Sequence, residues 1–267
     1  TVVSGGGGGG FIAEIGGDLL GGSNTSGDTT AGDISIINAS DLLTIGDGSI
    51  GLAAVSHGGG HVFSGPITSG EQLISVGNIG DSDGSAGILD IENTGVIQTS
   101  GSAAPAILLQ SIGGGGGYAG NTLVNAQLGG LYRGETFAAD LNLTSQVITS
   151  TSGANSSAML VQSIGGGGGR VGNVGGNASL GGTAALIGTA NAHGGSIDLT
   201  IDTSLVTTGN DSTTLRSQSI GGGGGVAGSV GGNAVLGGLG TGDRSARNMS
   251  LAIQDTVSSA GAQATSV

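Results

Sequence analysis

Between residues 196 and 201 the chain reads SIDLTI, apolar and polar by turns. Ile197, Leu199 and Ile201 fall on one side of an extended chain, which predicts a strand with one buried face. The same alternation returns as Ile34/Ile36, Leu89/Ile91, Leu141/Leu143 and Met249/Leu251. Each pair stands twelve and ten residues before a glycine: Gly46, Gly101, Gly153, Gly209 and Gly261. Six residues after these glycines come Leu52, Ile107, Met159, Leu215 and Val267, again all aliphatic or Met. The glycines are 55, 52, 56 and 52 residues apart. A second strand is expected in AILLQSI (106–112), which ends against a run of glycines. No helical period of useful length survives, and glycines interrupt nearly every candidate.

The run itself is the strongest signature. QSIGGGGG occurs at 110–117, 162–169 and 218–225, placing Gly113, Gly114, Gly115, Gly116 and Gly117 in register with Gly165, Gly166, Gly167, Gly168 and Gly169, and with Gly221, Gly222, Gly223, Gly224 and Gly225. Ser4, ahead of an earlier run, fits the same serine slot, while the second unit reads VSHGGGHVF (55–63). A shared stretch follows the run: GNVGGNASLGG (172–182), GSVGGNAVLGG (228–238) and, more loosely, GNTLVNAQLGG (120–130). Length varies mainly between LGG and the next alternating pair, which marks the expected loop side.

Short strands on a fixed period predict an all-β, elongated parallel β-solenoid with glycine-rich stacked turns. Equivalent strands are expected about 4.8 Å apart, and the parallel crossover rule makes the coil a right-handed β-helix. Residues 1–267 read as one repetitive segment of a longer chain, about five units of 52–56 residues. The next QSI is expected near position 270. A unit this long predicts two or three coils per repeat. A string of separate small β-domains is disfavoured, since 52 glycine-rich residues build little core alone.

Five consecutive glycines cost about 2.5–5 kcal/mol to order relative to alanine. Two expectations follow. Packed runs in a polyproline-II-like path would hydrogen-bond backbone to backbone, at about 1 kcal/mol net per bond. Mobile surface turns would leave the cost unpaid by staying disordered. A run length of five in three copies favours packing.

Composition narrows the function classes. Of 267 residues, 63 are glycine, yet mean hydropathy is positive at +0.26, unlike a disordered chain. The five basic residues are all arginine and the net charge is −13, which argues against nucleic acid and anionic membranes as partners. Cysteine is absent, so stability rests on stacking and hydrogen bonds. No apolar run approaches the roughly 20 residues of a spanning helix. No signal-peptide pattern opens the chain, which begins at Thr1.

The motifs that suggest chemistry sit in poor contexts. His57 and His61 have the i, i+4 spacing of a helical zinc pair, but three glycines separate them. GDSDG (80–84) matches a nucleophile elbow without the helix that must follow. Asp81, Asp83, Ser85 and Glu92 match calcium-loop positions, but the sixth position is not glycine. No glycine run continues into the lysine of a phosphate loop. N-x-S/T triplets, such as those at Asn142 and Asn177, are expected by chance in a chain so rich in Asn, Ser and Thr. Asn177 and Asn233 share a slot, which predicts an asparagine ladder inside the solenoid. The arginines, Arg133, Arg170, Arg216, Arg244 and Arg247, look scattered. No catalytic residue, metal site or cofactor is expected.

The pattern A-x-L-x-Q-S-I-G-G-G-G-G, preceded by I-x-T-S-G, resembles the passenger repeats of large bacterial autotransporter adhesins of the type V secretion class. The resemblance covers most of the chain, in three good copies and two worn ones. It implies an extended β-helical passenger at the bacterial cell surface, extracellular, and linked to a C-terminal outer-membrane barrel elsewhere in the protein. The leading expectation is a structural or adhesive stalk or fibre, self-associating or touching other cell surfaces and glycans. A polysaccharide-acting β-helix enzyme and an ice- or surface-binding protein are the alternatives.

Overall fold

A computed structural model describes residues 1–6, 9–12, 19–21, 28–64, 73–76, 79–80, 83–129, 131–132, 135–181, 183–184, 191–237 and 242–267. Among these residues every regular element is a strand. The third repeat shows the unit: strands Gly84–Ser85, Leu89–Asn93, Ile97–Thr99, Ile107–Ile112, Gly116–Ala119, Asn125–Leu128 and Leu131–Tyr132. None of the seven pairs with another in its own repeat. Each lies in parallel register against its counterparts one repeat away, as Leu89 does against Ile34 and Leu141. The described residues thus form seven parallel sheets, six of five strands and one of three.

This is a parallel β-solenoid, but the expectation of two or three coils per repeat is wrong. One repeat makes one coil. Seven short strands joined by corners consume 52–56 residues before the chain returns above its starting point. The segment expected to be loop also carries paired strands, Leu131–Tyr132 and Thr136–Phe137.

Within the stack the alternating strands obey their pattern, as Leu89, Ile91 and Asn93 are buried while Asp90 and Glu92 face outward; in the last coil Met249 and Leu251 are exposed. Ile107–Ile112 is different, with all six residues buried. Ile107 and Leu109 join the main core with Leu89, Ile91, Ile97 and Leu141. Leu108 faces a second core containing Val55, Tyr118 and Leu160. This strand is therefore a wall shared by two compartments, and its near-continuous apolar spelling is what two buried faces require. A third, smaller core collects Ala126, Leu128, Val171 and Leu180 farther along the coil.

The alignment glycine opens a tight corner. A Cβ on Gly101, Gly153, Gly209 or Gly261 would run into the carbonyl of the matching glycine of the preceding coil. Two residues later the backbone is left-handed in every coil, at Gly48 (φ 70°), Ala103 (52°), Asn155 (54°), Asp211 (54°) and Gln263 (54°).

Candidate functional site

The best-defined constellation is the corner built by QSIGGGGG. Its five glycines are not one element. Gly113, Gly114 and Gly115 turn the chain out of the Ile107–Ile112 strand, and Gly116 and Gly117 open the Gly116–Ala119 strand. The polyproline-II-like path does not describe this corner: φ is +88° at Gly115 and +154° at both Gly116 and Gly117.

The runs are packed. All five residues from Gly113 to Gly117, and all five from Gly165 to Gly169, are buried. Gly113 N donates to Ile164 O (3.0 Å), Gly114 N to Gly166 O (3.2 Å) and Gly168 N to Gly115 O (3.0 Å). The next pair of coils repeats these bonds, with Gly166 N on Gly222 O (3.1 Å) and Gly224 N on Gly167 O (3.1 Å). A Cβ on Gly113 would stand 2.5 Å from Gly165 O and 2.6 Å from Phe137 N. On Gly165 and Gly221 it would strike the backbones of His193 and Ser245. The corner thus touches two backbones at once: the next corner along the stack and the short strand on the facing wall.

The serine of QSI ties those same two walls. Ser111 Oγ accepts from Ala139 N (2.8 Å) and donates to Gly87 O (3.5 Å). Ser163 Oγ accepts from Gly195 N (2.7 Å) and donates to Ala139 O (3.0 Å). Ser219 does the same with Arg247 N and Gly195 O, and Ser56 with Gly87 N and Gly32 O. Ser4 accepts from Gly32 N (2.8 Å). One hydroxyl both donates and accepts, so serine suits a slot that must bridge successive coils. The glutamine forms a second ladder: Gln110 Nε2 donates to Gln162 Oε1 (2.8 Å), and Gln162 Nε2 to Gln218 Oε1 (2.8 Å). Val55 occupies the slot above Gln110, and Gln110 Oε1 is buried without a partner.

The asparagine ladder exists, but on the surface and not inside. Exposed Asn177 accepts Asn233 N (2.8 Å), and its own N–H goes to Asn125 Oδ1 (2.7 Å). Aspartates work likewise: Asp33, Asp41, Asp47, Asp83 and Asp140 accept the N–H groups of Ile88, Val96, Ser102, Glu135 and Ser196 one coil on. At a turn, where the strand ladder lapses, the carboxylate supplies the missing acceptor. Five of the 18 acidic residues are thus built into turns.

The other candidate residues do not converge. His57 is buried opposite Ile112 at the end of one strand, and His61 begins the next, paired with Gly116. Asp83 serves a turn, Ser85 lies in a two-residue strand and Glu92 points outward from another; Asp81 and Ser82 lie outside the described residues. Among the described residues no group of three or more His, Cys, Asp or Glu is placed to hold a metal.

The arginines are not all scattered. Arg170 and Arg216, 46 positions apart in the chain, line one cavity. Arg170 is 4% exposed and sits over the Tyr118 ring at 5.4 Å. Arg133 lies outside the described residues. Nothing in the linear spacing announces the meeting; only the knowledge that one repeat is one coil would have placed 170 and 216 on adjoining walls. Burial, the larger influence, raises the Tyr118 phenol above its ordinary range despite the opposing charge of Arg170.

Comparisons of the chain with known protein families, with curated proteins and with solved structures returned no match.

Proposed function

We propose that this chain is a structural and adhesive segment of an extracellular surface protein, acting as a stalk or fibre at the bacterial cell surface. The observation that carries the reading is the continuous stack in which strands, corners and turns all bond to the coil above and below. Such a stack needs no chemistry at any one place. Among the described residues it distributes load over as many as seven parallel ladders per coil, plus the serine and glutamine ladders.

The coil is costly in length. Each 52–56-residue repeat advances the stack by only about 4.8 Å. A chain selected for reach alone would use smaller coils. A wide coil gives a stiff rod with a broad lateral face, which suits presentation and contact. The resemblance to autotransporter passenger repeats supports the same reading, and implies a membrane barrel elsewhere in the protein.

The test is surface display. The chain is anchored on bacteria that lack adhesins, and attachment to cultured cells, to immobilised glycans and to sister bacteria is counted. The expected result is attachment above that of cells displaying an unrelated solenoid of equal length. Equal attachment in all three formats overturns the adhesive reading. Glycan depolymerisation by the purified chain would replace it with an enzyme.

A further inference from the structure

Arg170 and Arg216 are unusual in so acidic a chain. The solenoid carries a net charge of −13, yet two of its five cations face one small cavity. Arg170 belongs to the Gly168–Val171 strand and Arg216 to the Leu215–Ile220 strand, the two walls that flank the second core. Their neighbours in register are Tyr118 and Val226 for Arg170, and Leu160 for Arg216. Both guanidiniums therefore stand in slots that other coils fill with apolar or aromatic side chains.

Their hydrogen bonds hold them in place without neutralising them. Arg170 Nη1 donates to Ala103 O (3.1 Å) and Tyr118 Oη (3.1 Å), and its Nη2 donates to Asn155 O. Ala103 and Asn155 are the left-handed corner residues, and that backbone turn aims their carbonyls at the guanidinium. Arg216 Nη2 donates to Thr213 Oγ1 (3.1 Å). None of these acceptors is a carboxylate. A guanidinium has five N–H donors in a planar fork. Arg170 uses three and Arg216 one, so both retain donors. Two like charges brought together out of water are mutually unfavourable. Arg216 is accordingly held below the usual arginine range, first by burial and then by the charge of Arg170.

We propose that Arg170 and Arg216 form a binding site for an oxyanion group, a sulfate, phosphate or carboxylate. The cavity is about 50 Å³ and is lined also by Ser157, Thr213 and Asp211. That volume holds roughly three to five waters, enough for one oxyanion group and too little for a whole sugar or nucleotide. The ligand is thus a free inorganic anion or an acidic group carried at the edge of a larger molecule. Arg170, tied by three hydrogen bonds, and Arg216, tied by one, would each present N–H groups to it, and charge-assisted bonds of this type are the strong ones. Asp211, exposed at the rim, repels anions and sets a limit on affinity. The site is independent of the surface-structural reading, since it stands on two side chains and a cavity.

The experiment is calorimetric titration of the whole chain with sodium sulfate, sodium phosphate and sodium acetate, at constant ionic strength maintained with chloride. A sulfated disaccharide and a uronate disaccharide form separate arms. Saturable binding of at least one oxyanion is expected. Arg216→Gln should weaken it at least tenfold, and Asp211→Asn should strengthen it two- to threefold. Tighter binding of a disaccharide than of its free ion would identify a glycan-borne acid as the source; the reverse would identify the inorganic anion. Heat without saturation for every probe overturns the proposal. So does binding that Arg216→Gln leaves unchanged. Arg170→Gln is a second variant, expected to abolish binding if its circular dichroism matches the parent; if it unfolds, Arg216→Gln decides alone.

Discussion

The second and third coils meet the same corner with different sequences. The third spells QSIGGGGG; the second spells VSHGGGHV. Their registers coincide residue for residue, Ser56 on Ser111, His57 on Ile112 and His61 on Gly116. What the second coil keeps is the serine and the three corner glycines, Gly58, Gly59 and Gly60. What it gives up is the glutamine, the isoleucine and the two glycines that open the next strand. Two of the kept glycines are crowded by other backbones: a Cβ on Gly58 would strike Ser85 N, and on Gly59 would stand 2.8 Å from Gly115 N. The strand-opening slot is crowded too in later coils, where a Cβ on Gly116 or Gly168 would run into the carbonyl of the next coil, yet the second coil places His61 there. The comparison separates a corner whose glycines stay in both coils from a strand opening that is closed to side chains in the later coils but admits histidine in the second. A run of five is two demands laid end to end.

The largest effects should break this comparison if it is wrong. Gly113→Val and Gly58→Val should each cost about 3 kcal/mol or more, since a branched side chain must force two backbones apart and sever inter-coil bonds. Urea denaturation with an unchanged slope measures both. Tolerance of Gly58→Val alone would mean that the second corner is looser than its geometry states.

Next come the ladders. Gln162→Ala strips hydrogen bonds from Gln110 and Gln218 together, leaving buried amide groups unmatched, and should cost about 2–3 kcal/mol. The opposite change sharpens the contrast. Val55→Gln gives Gln110 Oε1 a donor and moves the ladder's end up to half-buried Val3, for an expected gain of about 1 kcal/mol. A loss in thermal denaturation would show that the second core values the aliphatic side chain more than the bond.

A smaller difference separates the third glycines of the two corners. Gly115→Val should cost about 1–2 kcal/mol from its left-handed φ alone, whereas Gly60 is not among the left-handed glycines and Gly60→Val should cost less. Equal midpoints would remove the backbone argument at this position. The smallest effect belongs to the surface. Asp140→Ala removes the acceptor for Ser196 N, an exposed bond, and should lower stability by about 0.5–1 kcal/mol, read from the same curves.

Several parts of this architecture were legible in the linear chain. The alternating pairs marked the five-residue strands because one face meets water and the other does not. The serine slot was visible as a repeat, though its bridging role was not, because Gly87 and Ala139, its partners, carry no side-chain signal for a hydrogen bond. The asparagine slot was visible too, but its place on the surface depended on which way a turn faces.

The sequence by itself determined the strand pattern, the period and the positions where glycine is held. Only the tertiary structure decided that one repeat closes one coil, that Ile107–Ile112 is a wall between two compartments, and that Arg170 meets Arg216. The reason is physical. A two-residue alternation reports burial on a face, and it reads the same whether the chain returns after three strands or seven. Glycine records that something comes close but, having no side chain, records nothing about what. Pairing across 52–56 residues is chosen by the joint fit of all seven strands to the coil beneath, a quantity no single stretch of the chain contains.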